Sequence, residues 1–165
     1  MKIERRRAMT LRQTTKTTSG DLSGIAVPYN EASHPIPGGG RAFREVMSPG
    51  ALEFSNDTVL LLQHDPSGIP LARVGAGTLR FNETDAGLAF SATLPANRED
   101  LREALERGDL DGSVSVGMIV EEDEWTHGKE YSMRRVTSGR LVEISIVAIG
   151  AYEGAVATYQ EASNG

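Results

Sequence analysis

No cysteine occurs among the 165 residues. Thiol nucleophiles, disulfides and cysteine-based zinc sites are therefore excluded, and any covalent catalysis must use Ser, Thr, Lys or a carboxylate. Aromatic residues make up only 5%, so a core has to be built from Val, Leu, Ile and Ala. No apolar run approaches the ~20 residues of a membrane-spanning helix. No apolar stretch follows the charged opening Met1 to Arg7 to make it a secretory signal. The expectation is a protein that stays where it is made, with no membrane partner. Histidine is almost as rare, at positions 34, 64 and 127. His34, His64 and His127 show no close metal-ligand spacing such as His-x-x-x-His, so a metal hydrolase is the weakest reading and no metal or other cofactor is expected.

What the chain does contain fits one globular domain: 39% hydrophobic and 24% charged residues, with eighteen glycines to serve turns. The net charge of -6 is unevenly spread. Lys2, Arg5, Arg6, Arg7, Arg12 and Lys16 make the start basic, whereas Glu121, Glu122, Asp123 and Glu124 form an acidic run. Solvated surface is the plainest account of both. The basic residues have no interleaved aromatics, which argues against a nucleic-acid partner. The expected organisation is a basic polar arm over 1–21, a folded domain over 22–158 and a polar tail over 159–165.

Alternation and punctuation predict a mostly antiparallel β domain of α+β class, compact and β-barrel-like, with one clear helix and short helical segments. Gly24 to Tyr29 reads as a strand ended at Pro28. Pro35, Pro37 and Gly38-Gly39-Gly40 mark a loop. Ser48 to Phe54 has the cap and proline of a helical turn. Thr58 to Gln63 is a continuous apolar run, expected to be a strand buried on both faces and ending at the turn His64-Asp65-Pro66-Ser67-Gly68. Ala72 to Phe81 and Leu88 to Leu94 read as strands joined by a hairpin over Asn82 to Gly87. Asn97 is placed to cap a helix with apolar positions Leu101, Ala104 and Leu105 and a stop at Gly108. Ser113 to Val120, Arg134 to Val136 and Leu141 to Ile149 complete the strands.

Three positions can carry chemistry. His64 ends a rigid apolar strand, which suits a general base that must be aimed, although a single histidine at a strand end, taken alone, is more often a hydrogen-bonded structural residue. Gly112-Ser113-Val114-Ser115-Val116-Gly117 sets Ser113 and Ser115 on one strand face and the valines on the other. Cross-strand hydroxyl pairing is the non-catalytic account of that pattern. In Leu141-Val142-Glu143-Ile144-Ser145-Ile146-Val147, Glu143 shares a face with Ser145, while Val142, Ile144 and Ile146 take the other. A carboxylate within an apolar run needs a partner. That partner is either a histidine, which the carboxylate would orient, or an arginine such as Arg134, Arg135 or Arg140.

These segments resemble the prohead, or capsid-maturation, proteases of HK97-type tailed phages. Gly24 to Asn30 is similar to that family's early strand, Ser48 to Leu52 to its Pro-Gly-Ala turn, and Leu60 to Asp65 to its histidine motif. Asp85 to Leu88 resembles the turn before its central strands, Ser113 to Met118 its serine motif, and Leu141 to Val147 its last strand. The resemblance spans about residues 22 to 157. It implies a serine endopeptidase acting on capsid and scaffold proteins, and on itself, inside an assembling prohead in the host cytoplasm. Ser115 is then the nucleophile and His64 the base, with Glu143 as orienting carboxylate and Ser113 as the alternative nucleophile. The family is similar in fold to herpesvirus assemblin, whose likeness implies an oxyanion contribution from Arg134 or Arg135. Self-association is also expected. The competing reading is a noncatalytic capsid-assembly scaffold or chaperone.

Overall fold

The computed structural model describes residues 2–6, 21–38, 41–148 and 157–159. Most of the arm expected over 1–21, the glycines at 39 and 40, the end of the last strand at 149 and the tail beyond 159 lie outside them. Eleven strands and one helix follow in order: β1 (Glu4–Arg6), β2 (Asp21–Pro28), β3 (Phe43–Met47), β4 (Leu52–Glu53), β5 (Val59–Leu62), β6 (Ala72–Arg73), β7 (Leu79–Glu83), β8 (Gly87–Thr93), α1 (Glu99–Arg107), β9 (Val114–His127), β10 (Ser132–Ile146) and β11 (Ala157–Tyr159). The domain is mostly β, as expected. Its strands form two sheets, and among the described residues neither closes into a barrel.

The smaller sheet has the order β11-β2-β8-β7, all antiparallel. The larger is organised by β10. One edge of this 15-residue strand pairs antiparallel with β9. The other is taken in succession by three short parallel strands, β3 opposite Ser132 to Val136, β4 opposite Gly139 and Arg140, and β5 opposite Glu143 to Ile146. The larger sheet is therefore mixed, although most strand pairings of the domain are antiparallel. Leu22, Val27, Leu88 and Phe90 of the small sheet join Met47, Leu60, Val116, Met118, Ile144 and Ile146 of the large one in a single core. Val114, Val116 and Met118 all point into that core, so Ser115 and Gly117 take the opposite face of β9.

Several elements depart from the pattern reading. Ser48 to Phe54 is not helical. Ala51 donates back to Ser48, Gly50 adopts φ 69°, and Leu52 and Glu53 enter β4, where the ladder to β10 overrides the local helix signal. The run Ala72 to Phe81 is two strands split at a turn. Gly77 there has φ 71°, and a Cβ on Gly75 would sit 2.9 Å from the Asn56 carbonyl. The helix is preceded by Arg98, whose side chain pairs with Asp100, so Asn97 is not its cap; Gly108 closes it in the left-handed conformation as expected. The segments Arg134 to Val136 and Leu141 onward are one strand, with bulges absorbing the polar residues between them. The bulge between Leu141 and Glu143 also changes parity: Leu141, not Val142, joins Ile144 in the core. The acidic run pairs across the hairpin, Glu121 with Arg140 and Asp123 with Arg134. Glu4 to Arg6 forms an edge strand on β9, and β11 pairs with β2.

Candidate functional site

Parallel pairing places Val59 beside Glu143 and Leu61 beside Ser145, so β5 runs toward the same end of the sheet as β10. A straight continuation would carry His64 beyond Ile146. Gln63 and His64 instead both take left-handed conformations, φ 54° and 59°, and turn the chain back over β10. Such backbone costs non-glycine residues about 1–2 kcal/mol each. Three hydrogen bonds hold it: Gln63 N–H to the Ile146 carbonyl at 2.8 Å, His64 N–H to Ser145 Oγ at 3.2 Å and Asp65 N–H to the Leu62 carbonyl at 3.0 Å. Asp65 continues the turn by accepting from Ser67 N–H and Ser67 Oγ, and these bonds lower its carboxyl pKa.

The turned imidazole bridges two strands. Its Nδ1 lies 2.6 Å from Glu143 Oε1 and its Nε2 lies 2.8 Å from Ser115 Oγ. The other carboxylate oxygen of Glu143 accepts from Ser145 Oγ at 2.7 Å. Because a carboxylate can only accept, the imidazole proton belongs on Nδ1, which leaves Nε2 as the acceptor for the Ser115 hydroxyl. Ser115 and Glu143 are buried, at 2% and 3% exposure, whereas the His64 side chain keeps 15%. Arg5 of β1 approaches the same carboxylate, Nε to Oε1 at 3.6 Å.

Gly117 makes room for this arrangement. It faces Glu143 across the β9–β10 ladder, and a Cβ there would lie 2.4 Å from Glu143 Oε1 and 2.9 Å from its Cδ and Cγ. Any side chain would occupy the place of the carboxylate. The sequence reading gave Gly117 no role, because a strand glycine beside a serine has many explanations; only the facing register makes it specific.

The structure brings together His64, Ser115 and Glu143, and leaves the other candidates elsewhere. Ser113 is fully buried, and its hydroxyl finds no hydrogen-bond partner among the described residues; His64 reaches Ser115 instead. Arg134 stands nine positions before Glu143 on β10, about 30 Å along an extended strand. It binds Asp123 at 2.7 Å, Glu4 at 2.6 Å and the buried Glu45 at 3.3 Å. Burial opposes its charge, but the Glu4 and Asp123 carboxylates outweigh that and raise its pKa further. Arg135 donates to Asn30 Oδ1 at 3.0 Å. Both arginines are thus structural ties at the far end of β10, which corrects their assignment to an oxyanion site. The partner of Glu143 is a histidine, while Arg140 pairs with Glu121. His127 bonds Ser132 at the distant end of the hairpin, and among the described residues no three His, Asp or Glu side chains are grouped to hold a metal ion. No helix among the described residues is long and apolar enough to cross a membrane.

A serine hydroxyl on an imidazole whose other nitrogen rests on a buried carboxylate is a constellation able to perform acyl transfer. A family model described as caudovirus prohead serine protease matches residues 7–164. No curated protein and no solved structure matches the chain.

Proposed function

The chain belongs to the caudovirus prohead serine protease family, and from that premise we propose that Ser115, His64 and Glu143 are its nucleophile, base and orienting carboxylate. A protease of this family acts in maturation of the phage capsid, within the assembling prohead. The observation that carries the assignment is the unbroken hydrogen-bond line from Ser115 Oγ through both nitrogens of His64 to Glu143.

In this reading Ser115 Oγ attacks the scissile carbonyl carbon while its proton passes to His64 Nε2. The imidazolium is stabilised by Glu143 through Nδ1–H, and then gives the proton at Nε2 to the departing amine as the C–N bond breaks. The acyl group now on Ser115 is attacked by water, which loses a proton to the same nitrogen; that proton passes to Ser115 Oγ as the ester bond breaks, giving a fragment with a new carboxyl end and the restored Ser115 hydroxyl. Glu143 does not itself react. It fixes the tautomer and the ring plane. The substrates on this reading are capsid and scaffold segments, and the chain's own polypeptide, with self-association expected in the particle.

The test is co-expression with the cognate capsid and scaffold proteins, read by intact mass, for the wild type, Ser115→Ala and Ser113→Ala. Cleavage is expected in the wild type and Ser113→Ala and not in Ser115→Ala. Cleavage by Ser115→Ala would sink the nucleophile assignment, and cleavage by none of the three would leave a noncatalytic assembly module.

A further inference from the structure

We propose that Ser145 is a positioning residue of the site, and that its one hydroxyl sets both the histidine and the carboxylate. This rests on the protease reading above and adds a fourth side chain to it. Ser145 is fully buried. Its Oγ accepts from the backbone N–H of His64 at 3.2 Å and donates to Glu143 Oε2 at 2.7 Å. A single oxygen therefore contacts the main chain that carries the base and the carboxylate that orients it.

The hydroxyl has one proton, and the Glu143 carboxylate can take it whereas the His64 amide cannot. The direction of both bonds is thereby determined. The amide bond pins the left-handed turn at His64, φ 59°, a conformation that costs any residue with a Cβ. The carboxylate bond stops rotation of Glu143, whose Oε1 must stay 2.6 Å from His64 Nδ1. Gly117 bounds the carboxylate on the β9 side, so the hydroxyl of Ser145 and the bare face of Gly117 hold it from two directions. An alanine at 145 preserves the strand and the packing but removes both bonds, freeing the turn and the carboxylate together.

The experiment compares wild type, Ser145→Ala, Ser145→Thr and Ser115→Ala with a fluorophosphonate probe that captures an activated serine, measuring the maximal inactivation rate and the probe's half-saturation separately. Proton NMR of the same proteins reads the His64 Nδ1–H, which a 2.6 Å bond to a carboxylate is expected to deshield strongly. In Ser145→Ala the maximal rate is expected to fall roughly 10-fold to 100-fold with half-saturation unchanged, the size of effect a misplaced catalytic group produces. The deshielded proton is expected to shift or vanish. Ser145→Thr, which keeps the hydroxyl on a residue suited to strands, should restore both. A folded Ser145→Ala chain with wild-type rate and proton signal overturns the proposal, as does a folded Ser145→Thr chain as impaired as the alanine variant. A wild type labelled no more than Ser115→Ala would bring down the protease reading instead. The Nδ1 proton would then still decide Ser145 alone, since an unaltered signal in Ser145→Ala refutes it.

Discussion

Gly117→Ala is the most exacting test of the site, because it adds one methyl group and touches no reacting atom. The new Cβ would begin 2.4 Å from Glu143 Oε1, and contacts shorter than 3.0 Å are not sustained, so the carboxylate must retreat by roughly 0.6–1 Å. Glu143 can be displaced by giving up its bonds to Ser145 and His64, and the fold should therefore survive at a cost of about 1–2 kcal/mol. In a chain of this size that corresponds to a fall in Tm of about 2–8 °C. The site has no such latitude. Moving Oε1 by that amount opens its 2.6 Å contact with His64 Nδ1 to ~3.2–3.6 Å, at or beyond the limit of a useful hydrogen bond. If Glu143 orients His64 as proposed, misplacement on this scale costs about 100-fold in rate, and complete loss of the carboxylate about 10⁴-fold. Gly139→Ala is the matched control, since its Cβ would meet the Ile119 carbonyl at 2.7 Å on the same hairpin but away from the histidine. It should lower Tm without slowing the folded enzyme. Cleavage of co-expressed capsid and scaffold protein, followed by mass spectrometry with time, together with thermal unfolding of the purified chains, separates the two effects. A folded Gly117→Ala chain that cleaves at the wild-type rate would refute the argument that this glycine exists to admit the carboxylate.

Further outcomes follow from the same geometry. On the proposed assignment, Glu143→Gln keeps the shape but loses the charge that would stabilise the imidazolium, so cleavage should slow by about 10³–10⁴-fold in a chain with near-native melting; a loss of less than tenfold contradicts the orienting role. Arg134→Gln leaves the fully buried Glu45 and its neighbouring carboxylates without their shared cation, and should cost about 3–5 kcal/mol in urea unfolding while the remaining folded chain still cleaves. The Asp65 carboxyl is held below its ordinary range by Ser67. Its contribution is therefore fully present above the unfolded aspartate pKa, about 3.9, and is lost as pH falls through the lower folded value. Asp65→Asn should flatten that part of the acid-unfolding curve, and an unchanged curve in thermal melts between about pH 2 and 5 would remove the turn from the account.

Local pattern carried a good deal of this protein. The apolar run ending at His64, the alternation that puts Ser115 opposite the valines and the carboxylate inside Leu141 to Val147 were legible because strand periodicity and the cost of a buried charge are properties of short segments. So was the hairpin at Asn82 to Gly87, where β7 and β8 pair as the turn residues imply. Pairing across long stretches of chain was not. Whether Leu52 and Glu53 would be helix or strand depended on β10, 87 positions away in register from Leu52 to Gly139. The two arginines looked catalytic only while the length of β10 was unknown; as one strand it carries them far from Glu143 and into the Glu4, Glu45 and Asp123 carboxylates. The kinds of group available for chemistry were thus written in the chain. Which of them meet was decided by register: Gly117 opposite Glu143, Leu61 beside Ser145, and a two-residue left-handed turn that folds His64 back between them. A one-residue slip in either ladder would send these side chains to the core face and dissolve the site, because strand neighbours alternate and only the tertiary fold selects the phase.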